Sequence, residues 1–126
     1  YFFFVKDNFT TLKAIKESLN DYGFAVLDFM NVNKVINNLV ASETKEVEGI
    51  TFEIKRWVED GYILKNIKFN HEGESYDFTE KVKALTLQDF EQMMEEAGIY
   101  LLETFGNYKL QKFYTNESDR LIMIFK

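Results

Sequence analysis

The chain has 126 residues, 46% of them hydrophobic and 17% aromatic, and its 15 basic and 21 acidic side chains give a net charge of −6. This composition argues against a disordered chain, and the acidic balance argues against nucleic acid or an anionic membrane as a general partner. Without cysteine there is no disulfide and no thiolate metal site. This lack of cysteine fits a reducing cytoplasm, which is the expected location. No apolar stretch reaches about 18 residues, so we expect no membrane span.

The first part of the chain predicts a helix, a buried strand and a second helix. Apolar residues recur at helical spacing from Leu12 to Tyr22, which predicts a helix over 7–22. The run 24–30 is almost continuously apolar, as is typical of a strand covered on both faces. Asn31 follows this strand and is a candidate cap for the next helix.

The middle of the chain changes from helical to alternating periodicity. Three antiparallel strands are predicted at about 50–59, 62–70 and 74–82. The acidic-glycine pairs at 60–61 and 72–73 are typical of two-residue hairpin turns, and they set the strand register. Both turns independently place apolar residues in the same rows of one face, which predicts a meander with an aromatic surface.

One row of this predicted meander is charged. The register aligns Arg56, Lys65 and Glu80 on the otherwise apolar face. Since Glu80 offsets one cation, a further anion is expected beside the other. That anion is either a carboxylate or phosphate of a substrate or a carboxylate outside this chain; alternatively, the face is half covered, and Glu80 with water suffices. All three residues are candidate substrate-binding residues.

The last part of the chain predicts a helix and two closing strands. Thr86 and Asp89 have the spacing of a capping box, and Gly98 is a typical residue for the end of that helix. Strands are predicted at 99–105 and 120–125, and the loop between them allows an antiparallel arrangement.

The order of these elements, together with several short motifs, resembles the C-terminal half of class I S-adenosylmethionine-dependent methyltransferases. The motifs are the Leu-Lys and Ser-Leu pairs before Gly23, the strand that ends in Asp28-Phe29, the segment from Thr86 to Ile99, and the segment from Ser118 to Ile122. The resemblance implies an α/β fold, the C-terminal part of a Rossmann-like sheet with an inserted three-stranded antiparallel meander. It divides the chain into a core segment 1–44, a β insertion 45–84 acting as lid or interface, and a core segment 85–126.

The resemblance also implies a chain that begins in mid-fold. The glycine-rich loop and the acidic residue that hold S-adenosylmethionine in this family have no counterpart here, so we expect the missing N-terminal half to bind the cofactor. The segment would supply the substrate-side wall of a methyltransferase acting on a small molecule, and would be inactive alone. Tyr1, Phe2, Asp28 and Asn31 fall near the family's substrate mouth. Structural roles are the alternatives: Asp28 and Asn31 as caps, Tyr1 and Phe2 as core or a cut end.

Several other expectations follow from the residues. His71 is the only histidine and no carboxylate cluster has metal-ligand spacing, so no metal is expected. Strand 24–30 would lack a neighbour on one side, which predicts self-association or association with the missing half. The alternative function is a non-enzymatic binding or dimerisation module that uses the aromatic face of the meander. No residue is identified as catalytic.

Overall fold

The computed structural model describes the backbone of residues 5–126 and the side chains from residue 8 onward, so Tyr1 and Phe2 lie outside the described residues. The chain divides into two compact units. We call Asn38–Ala84 the hairpin unit; the sheet unit comprises Leu85–Lys126 and the described residues before 38. The predicted boundaries between segments lie after residues 44 and 84, whereas the units of the structure meet after residues 37 and 84.

The helices and strands are listed here in chain order. They are α1 (Val5–Ser18), β1 (Ala25–Met30), α2 (Val32–Asn37), β2 (Ser42–Val47), β3 (Ile50–Glu59), β4 (Tyr62–His71), β5 (Glu74–Lys83), α3 (Leu87–Glu96), β6 (Leu101–Phe105) and β7 (Arg120–Phe125).

The sheet unit contains a three-stranded sheet in the order β1-β7-β6. The central strand β7 is antiparallel to both neighbours, so β1 and β6 run parallel to each other. This confirms the predicted antiparallel arrangement of the last two strands. Four of the six β7 residues are buried, including Met123 and Phe125 with no exposed surface. Within the described residues, β1 has no strand on its other side.

Helix α3 completes the core of the sheet unit. Thr86 Oγ1 accepts a hydrogen bond from the Asp89 amide, and the Asp89 carboxylate accepts one from the Thr86 amide, which confirms the predicted capping box. Phe90, Met93 and Met94 are buried. The Phe90 ring meets the edge of Phe29 from β1 at a centroid distance of 5.2 Å, so the helix packs on the sheet through aromatic contact.

Helix α1 ends four residues before the predicted position. It stops at Ser18, and Tyr22, which the periodicity placed on the apolar stripe, is 97% exposed. The Asn20 side chain accepts a hydrogen bond from the Tyr22 amide, and the Asn20 carbonyl accepts one from Gly23. An asparagine side chain can accept a hydrogen bond from a nearby backbone amide and so stabilise a turn in place of a further helical turn. The turn at Asn20 therefore ends α1.

The hairpin unit is an antiparallel sheet of four strands in the order β2-β3-β4-β5. The register predicted from the two turns is confirmed, with Arg56 opposite Lys65 and Lys65 opposite Glu80. The predicted number of three strands is wrong. Strand β2 was missed because its sequence, Ser-Glu-Thr-Lys-Glu-Val, is polar and five of its six residues are exposed.

A signal for the missed strand was present in the turns. All three hairpin turns pair an acidic residue with glycine, and both residues have positive φ, from 50° to 53° and from 77° to 81°. These are the angles of the type I′ turn that two-residue hairpins favour. The pairs are Glu48-Gly49, Asp60-Gly61 and Glu72-Gly73. The first of them marks the turn between β2 and β3.

Candidate functional site

The candidate site lies in the sheet unit, where β1 ends, β7 begins and the loop 106–119 connects β6 to β7. Asp28, near the end of β1, binds two side chains. Its Oδ2 accepts a hydrogen bond of 2.7 Å from the Tyr108 hydroxyl, and its Oδ1 one of 3.0 Å from Arg120 Nε. Arg120 opens β7 and Tyr108 belongs to the connecting loop. Asp28 thus ties the loop to two strands of the sheet.

The Asp28 carboxylate affects the ionisation of the Tyr108 hydroxyl. Its hydrogen bond, and then partial desolvation, raise the pKa of the Tyr108 phenol above its ordinary value, although Arg120 acts in the opposite direction. Tyr108 therefore remains a neutral hydrogen-bond donor at physiological pH. Its one O–H is donated to Asp28, so the tyrosine has only its oxygen left to accept a further hydrogen bond.

Asn31, directly after β1, is buried, with 2% of its surface exposed. Its Nδ2 donates to the carbonyl oxygens of Thr115 and Ser118 at 2.8 and 2.7 Å, and a third carbonyl, of Tyr114, lies at 3.5 Å. The side chain therefore holds the second half of the 106–119 loop. Asn31 directly precedes α2 and its backbone carbonyl accepts the first hydrogen bond of that helix, from Val35, while its side-chain amide binds the loop.

A groove of about 700 Å³ opens beside Asn31 in the same unit. Its wall includes the start of α2, the first turns of α3, and Phe113 and Thr115 of the loop. Asp28 does not line it. The site thus has two parts: the Asp28 cluster, and the groove that Asn31 borders.

The charged row predicted in the meander lies in the hairpin unit, and its anion comes from the missed strand. Arg56 Nη1 lies 3.0 Å from Glu43 Oε2, with about a fifth of each side chain exposed. Lys45 Nζ lies 3.3 Å from the other Glu43 oxygen. Arg56 thus has a carboxylate partner within the same sheet, and its charge needs no anion from elsewhere. No ion pair is formed between Lys65 and Glu80, and Glu80 is exposed.

The Arg56–Glu43 pair gives an expected pH dependence. The Arg56 hydrogen bond, followed by that of Lys45, lowers the pKa of Glu43 from 4.5. A lowered pKa in the folded state gives stability that is present above about pH 4.5 and is lost as the pH falls through the folded value. We therefore expect Arg56→Met to be less stable than the wild type at pH 7, and to lose less stability on acidification to about pH 3.

The measurement is urea unfolding across this pH range. Lys55→Met is the matched control, because Lys55 is exposed on the same strand and forms no ion pair with a described residue. It should retain the acid sensitivity of the wild type. An Arg56→Met profile parallel to that of the wild type would contradict the role assigned to the pair.

The described residues do not fit S-adenosylmethionine on their own. A cradle for it needs a glycine turn after a parallel strand, where the backbone lies open. In this chain β1 passes to α2 through Asn31, and Gly106, after β6, is closed: a Cβ there would lie 2.3 Å from Ser118 Oγ. The other five glycines lie in hairpin turns or between a helix and a strand; they are Gly23, Gly49, Gly61, Gly73 and Gly98.

The side chains of residues 8–126 include no group of three or more histidines, cysteines, aspartates or glutamates arranged to hold a metal ion. No helix in the described part of the chain has both the length and the apolar character that a membrane crossing requires.

Asp28 and Asn31 lie at the end of β1, where the sequence predicts them, and their partners were not predicted. Tyr108, Arg120, Thr115 and Ser118 come from a loop and a strand about 80 to 92 residues away from Asp28 and Asn31. Tyr108 lies in a polar loop, where the sequence shows no periodic pattern that would predict such a contact. Tyr1 and Phe2, also predicted for this site, lie outside the described residues.

No protein-family profile matches the chain. Its sequence is similar to the protein translocase subunit SecA 2 of Lactobacillus johnsonii, with 29% identity over 126 residues. The match covers 96% of this chain and 15% of that protein.

Solved structures gave stronger likenesses. An S-adenosylmethionine-dependent methyltransferase from Clostridium acetobutylicum superimposes with a TM-score of 0.80 at 16% identity, over 98% of this chain and 52% of that one. The CcbJ methyltransferase from Streptomyces caelestis gives 0.77 at 14%, over 97% and 53%. CalS10, an amino pentose methyltransferase from Micromonospora echinaspora, gives 0.61 at 11%, over 98% and 52%. The chain spans about half the length of each.

Proposed function

From the premise that this chain has the fold of the C-terminal half of an S-adenosylmethionine-dependent methyltransferase, we propose that it forms the substrate-side wall of an enzyme that methylates a small molecule. The cofactor is held mainly by polypeptide outside this segment, and the segment alone is not competent. The chain superimposes on about half the length of each similar structure, which supports this division of roles.

The observation that carries the proposal is the superposition of nearly all of this chain on a methyltransferase structure. The superimposed part includes the three-stranded sheet with its antiparallel central strand. In open α/β sheets, ligands bind beyond the carboxyl ends of the parallel strands. Asp28 and Asn31 occupy that edge at the end of β1, and the 106–119 loop that they anchor lies beside them. These two residues are the substrate-binding candidates that the geometry supports best.

The remaining candidates have less support. Arg56 is already paired with Glu43, so a bound acidic substrate is no longer needed to balance its charge. Lys65 and Glu80 adjoin it in the sheet and stay predictions of substrate contact. Tyr1 and Phe2 also stay predictions.

The part of this chain in the reaction is to position the molecule that accepts the methyl group. S-adenosylmethionine supplies an electrophilic methyl group, and transfer depends mainly on holding acceptor and donor in line. Here the Asp28 carboxylate holds the Tyr108 hydroxyl in place by accepting its proton in a hydrogen bond, and Asn31 fixes the loop that borders the groove. We derive no catalytic base from these residues.

Calorimetric titration with S-adenosylmethionine tests the proposal. We expect a full-length protein that carries this segment to bind the cofactor, and this 126-residue chain to bind it at least about 100-fold more weakly, because it lacks the glycine cradle. Equal affinity for the two proteins would contradict the assignment of the cofactor to the other half. No binding by the full-length protein would overturn the methyltransferase proposal.

A second candidate function is a non-enzymatic binding or dimerisation module. A segment of similar sequence occurs within a protein described as a translocase subunit, where it makes up 15% of the chain. The hairpin unit also presents stacked aromatic rings, with Phe69 and Tyr76 at a centroid distance of 4.8 Å and Phe78 54% exposed. A full-length protein that fails to bind the cofactor would favour this function.

A further inference from the structure

The hairpin unit has a second surface, on the face of its sheet opposite to Phe69 and Phe78. Side chains alternate between the two faces along a strand, and the register brings seven residues together on this face, at the end of the sheet that holds the Asp60-Gly61 turn. Three of them are lysines, one is a glutamate and three are large apolar or aromatic residues. We call them the basic face: Lys55, Trp57, Glu59, Tyr62, Leu64, Lys81 and Lys83.

Two lysines of the basic face lie over one aromatic ring. Lys81 Nζ is 4.2 Å and Lys83 Nζ 4.7 Å from the centroid of the Tyr62 ring. The ring attracts each ammonium group, and it therefore brings two like charges together. Neither of these lysines, nor Lys55, forms an ion pair with a described residue. An anion bound beside them would offset the repulsion between the two ammonium groups.

The basic face has one carboxylate, and that carboxylate is already bound. Glu59 Oε2 accepts a hydrogen bond of 3.3 Å from the indole nitrogen of Trp57. In the register, Tyr62 stands between Glu59 and Lys83. The basic face thus carries three positive charges and one negative charge, in a chain whose net charge is −6. Its charge is complementary to an acidic partner.

The apolar residues of the basic face indicate which kind of acidic partner it fits. Trp57 is 37% exposed and Leu64 lies directly opposite to it, so the lysines border an apolar centre. An aromatic centre with a charged rim is typical of protein–protein interfaces. A nucleic acid would be repelled by the negative charge of the rest of the chain, and the basic face has no arginine for a bidentate phosphate contact.

We propose that the basic face binds an acidic segment of another protein. Carboxylates of that segment pair with the three lysines, and its apolar or aromatic side chains pack on Trp57 and Leu64. The inference goes beyond the methyltransferase proposal and does not depend on it.

The fluorescence of Trp57 reports binding directly, because it is the only tryptophan of the chain. The probe is a random copolymer of glutamate and tyrosine, with polyglutamate as the comparison, and each is titrated into this chain with selective excitation of tryptophan. We expect a saturable change of emission with the copolymer, and weaker binding of polyglutamate because it has no ring to pack on Trp57. Added salt should weaken both, as it does for ion pairs at an exposed surface.

The double variant Lys81→Glu/Lys83→Glu should bind the copolymer at least about 10-fold more weakly, because each reversal removes an attraction and adds a repulsion. Lys13→Glu/Lys126→Glu is the matched control: it changes the net charge equally, at two exposed positions outside the hairpin unit. It should bind nearly as the wild type does.

Three results would overturn the inference. The first is a copolymer that leaves the emission of Trp57 unchanged. The second is an equal loss of affinity in the two double variants, which would show a general effect of net charge. The third is binding of polyuridylate as tight as that of the copolymer, which would assign the basic face to single-stranded nucleic acid.

Discussion

Phe125→Ala is expected to destabilise the protein by about 3–5 kcal/mol, the range for removing a buried aromatic ring from a core. Phe125 is fully buried at the end of the central strand β7, opposite Ala25 of β1 and Leu101 of β6. Loss of the ring leaves a cavity where the two outer strands meet the central one. Since folded domains are stable by only about 5–15 kcal/mol, this change removes a large fraction of the total.

Phe24→Ala is the matched control. It makes the same substitution in the same unit just before β1, where the ring is 62% exposed, and we expect it to cost less than about 1 kcal/mol. Urea unfolding monitored by circular dichroism measures both. Similar losses for the two variants would show that the core is not centred on β7.

Asn31→Leu is expected to cost about 2–4 kcal/mol, because leucine is close to asparagine in size and donates no hydrogen bond. The carbonyl oxygens of Thr115 and Ser118 would then lose their partner at a position where the side chain is buried. The loss should be localised: amide hydrogen exchange in residues 106–119 should accelerate more than exchange in β7. That pattern would identify Asn31 as the anchor of the loop.

Asn33→Leu serves as the comparison for this variant. Asn33 is half-buried, and its side chain makes no hydrogen bond with a described residue. It should cost less than about 1 kcal/mol and leave exchange in the loop unchanged. If Asn31→Leu unfolded the sheet and the loop to the same extent, the amide would be a general core contact and not a loop anchor.

The prediction of the fold class is confirmed by the superposition on methyltransferases. The best predicted part is the register of β3, β4 and β5, which two local signals determined jointly. An acidic residue followed by glycine adopts the positive φ values that a type I′ turn requires, and the alternating residues allow one pairing only. The same dipeptide at Glu48-Gly49 would have revealed β2, but the polar strand before it gave no alternation to support the turn.

The candidate site shows the limit of this kind of prediction. Its two members lie near the end of β1, at Asp28 and just after Met30, and the end of an apolar strand can be recognised in the sequence. Their partners could not be recognised, since the contacts of Asp28 with Arg120 and of Asn31 with Ser118 join residues that are 92 and 87 positions apart. No local preference encodes which loop carbonyl an amide will meet.

The amino-acid sequence by itself determined the kind of each element except β2, two turns of the hairpin unit and the absence of thiol chemistry, because these depend on residue type and on neighbours a few positions away. The tertiary structure alone decided three things: the carboxylate that pairs with Arg56, the loop that Asn31 holds, and the groove bordered by Glu91. Each of these depends on side chains that are distant along the chain and adjacent only after the strands have paired. Burial and charge balance are properties of that final arrangement, so local patterns predict where a polar residue stands and not what it will bind.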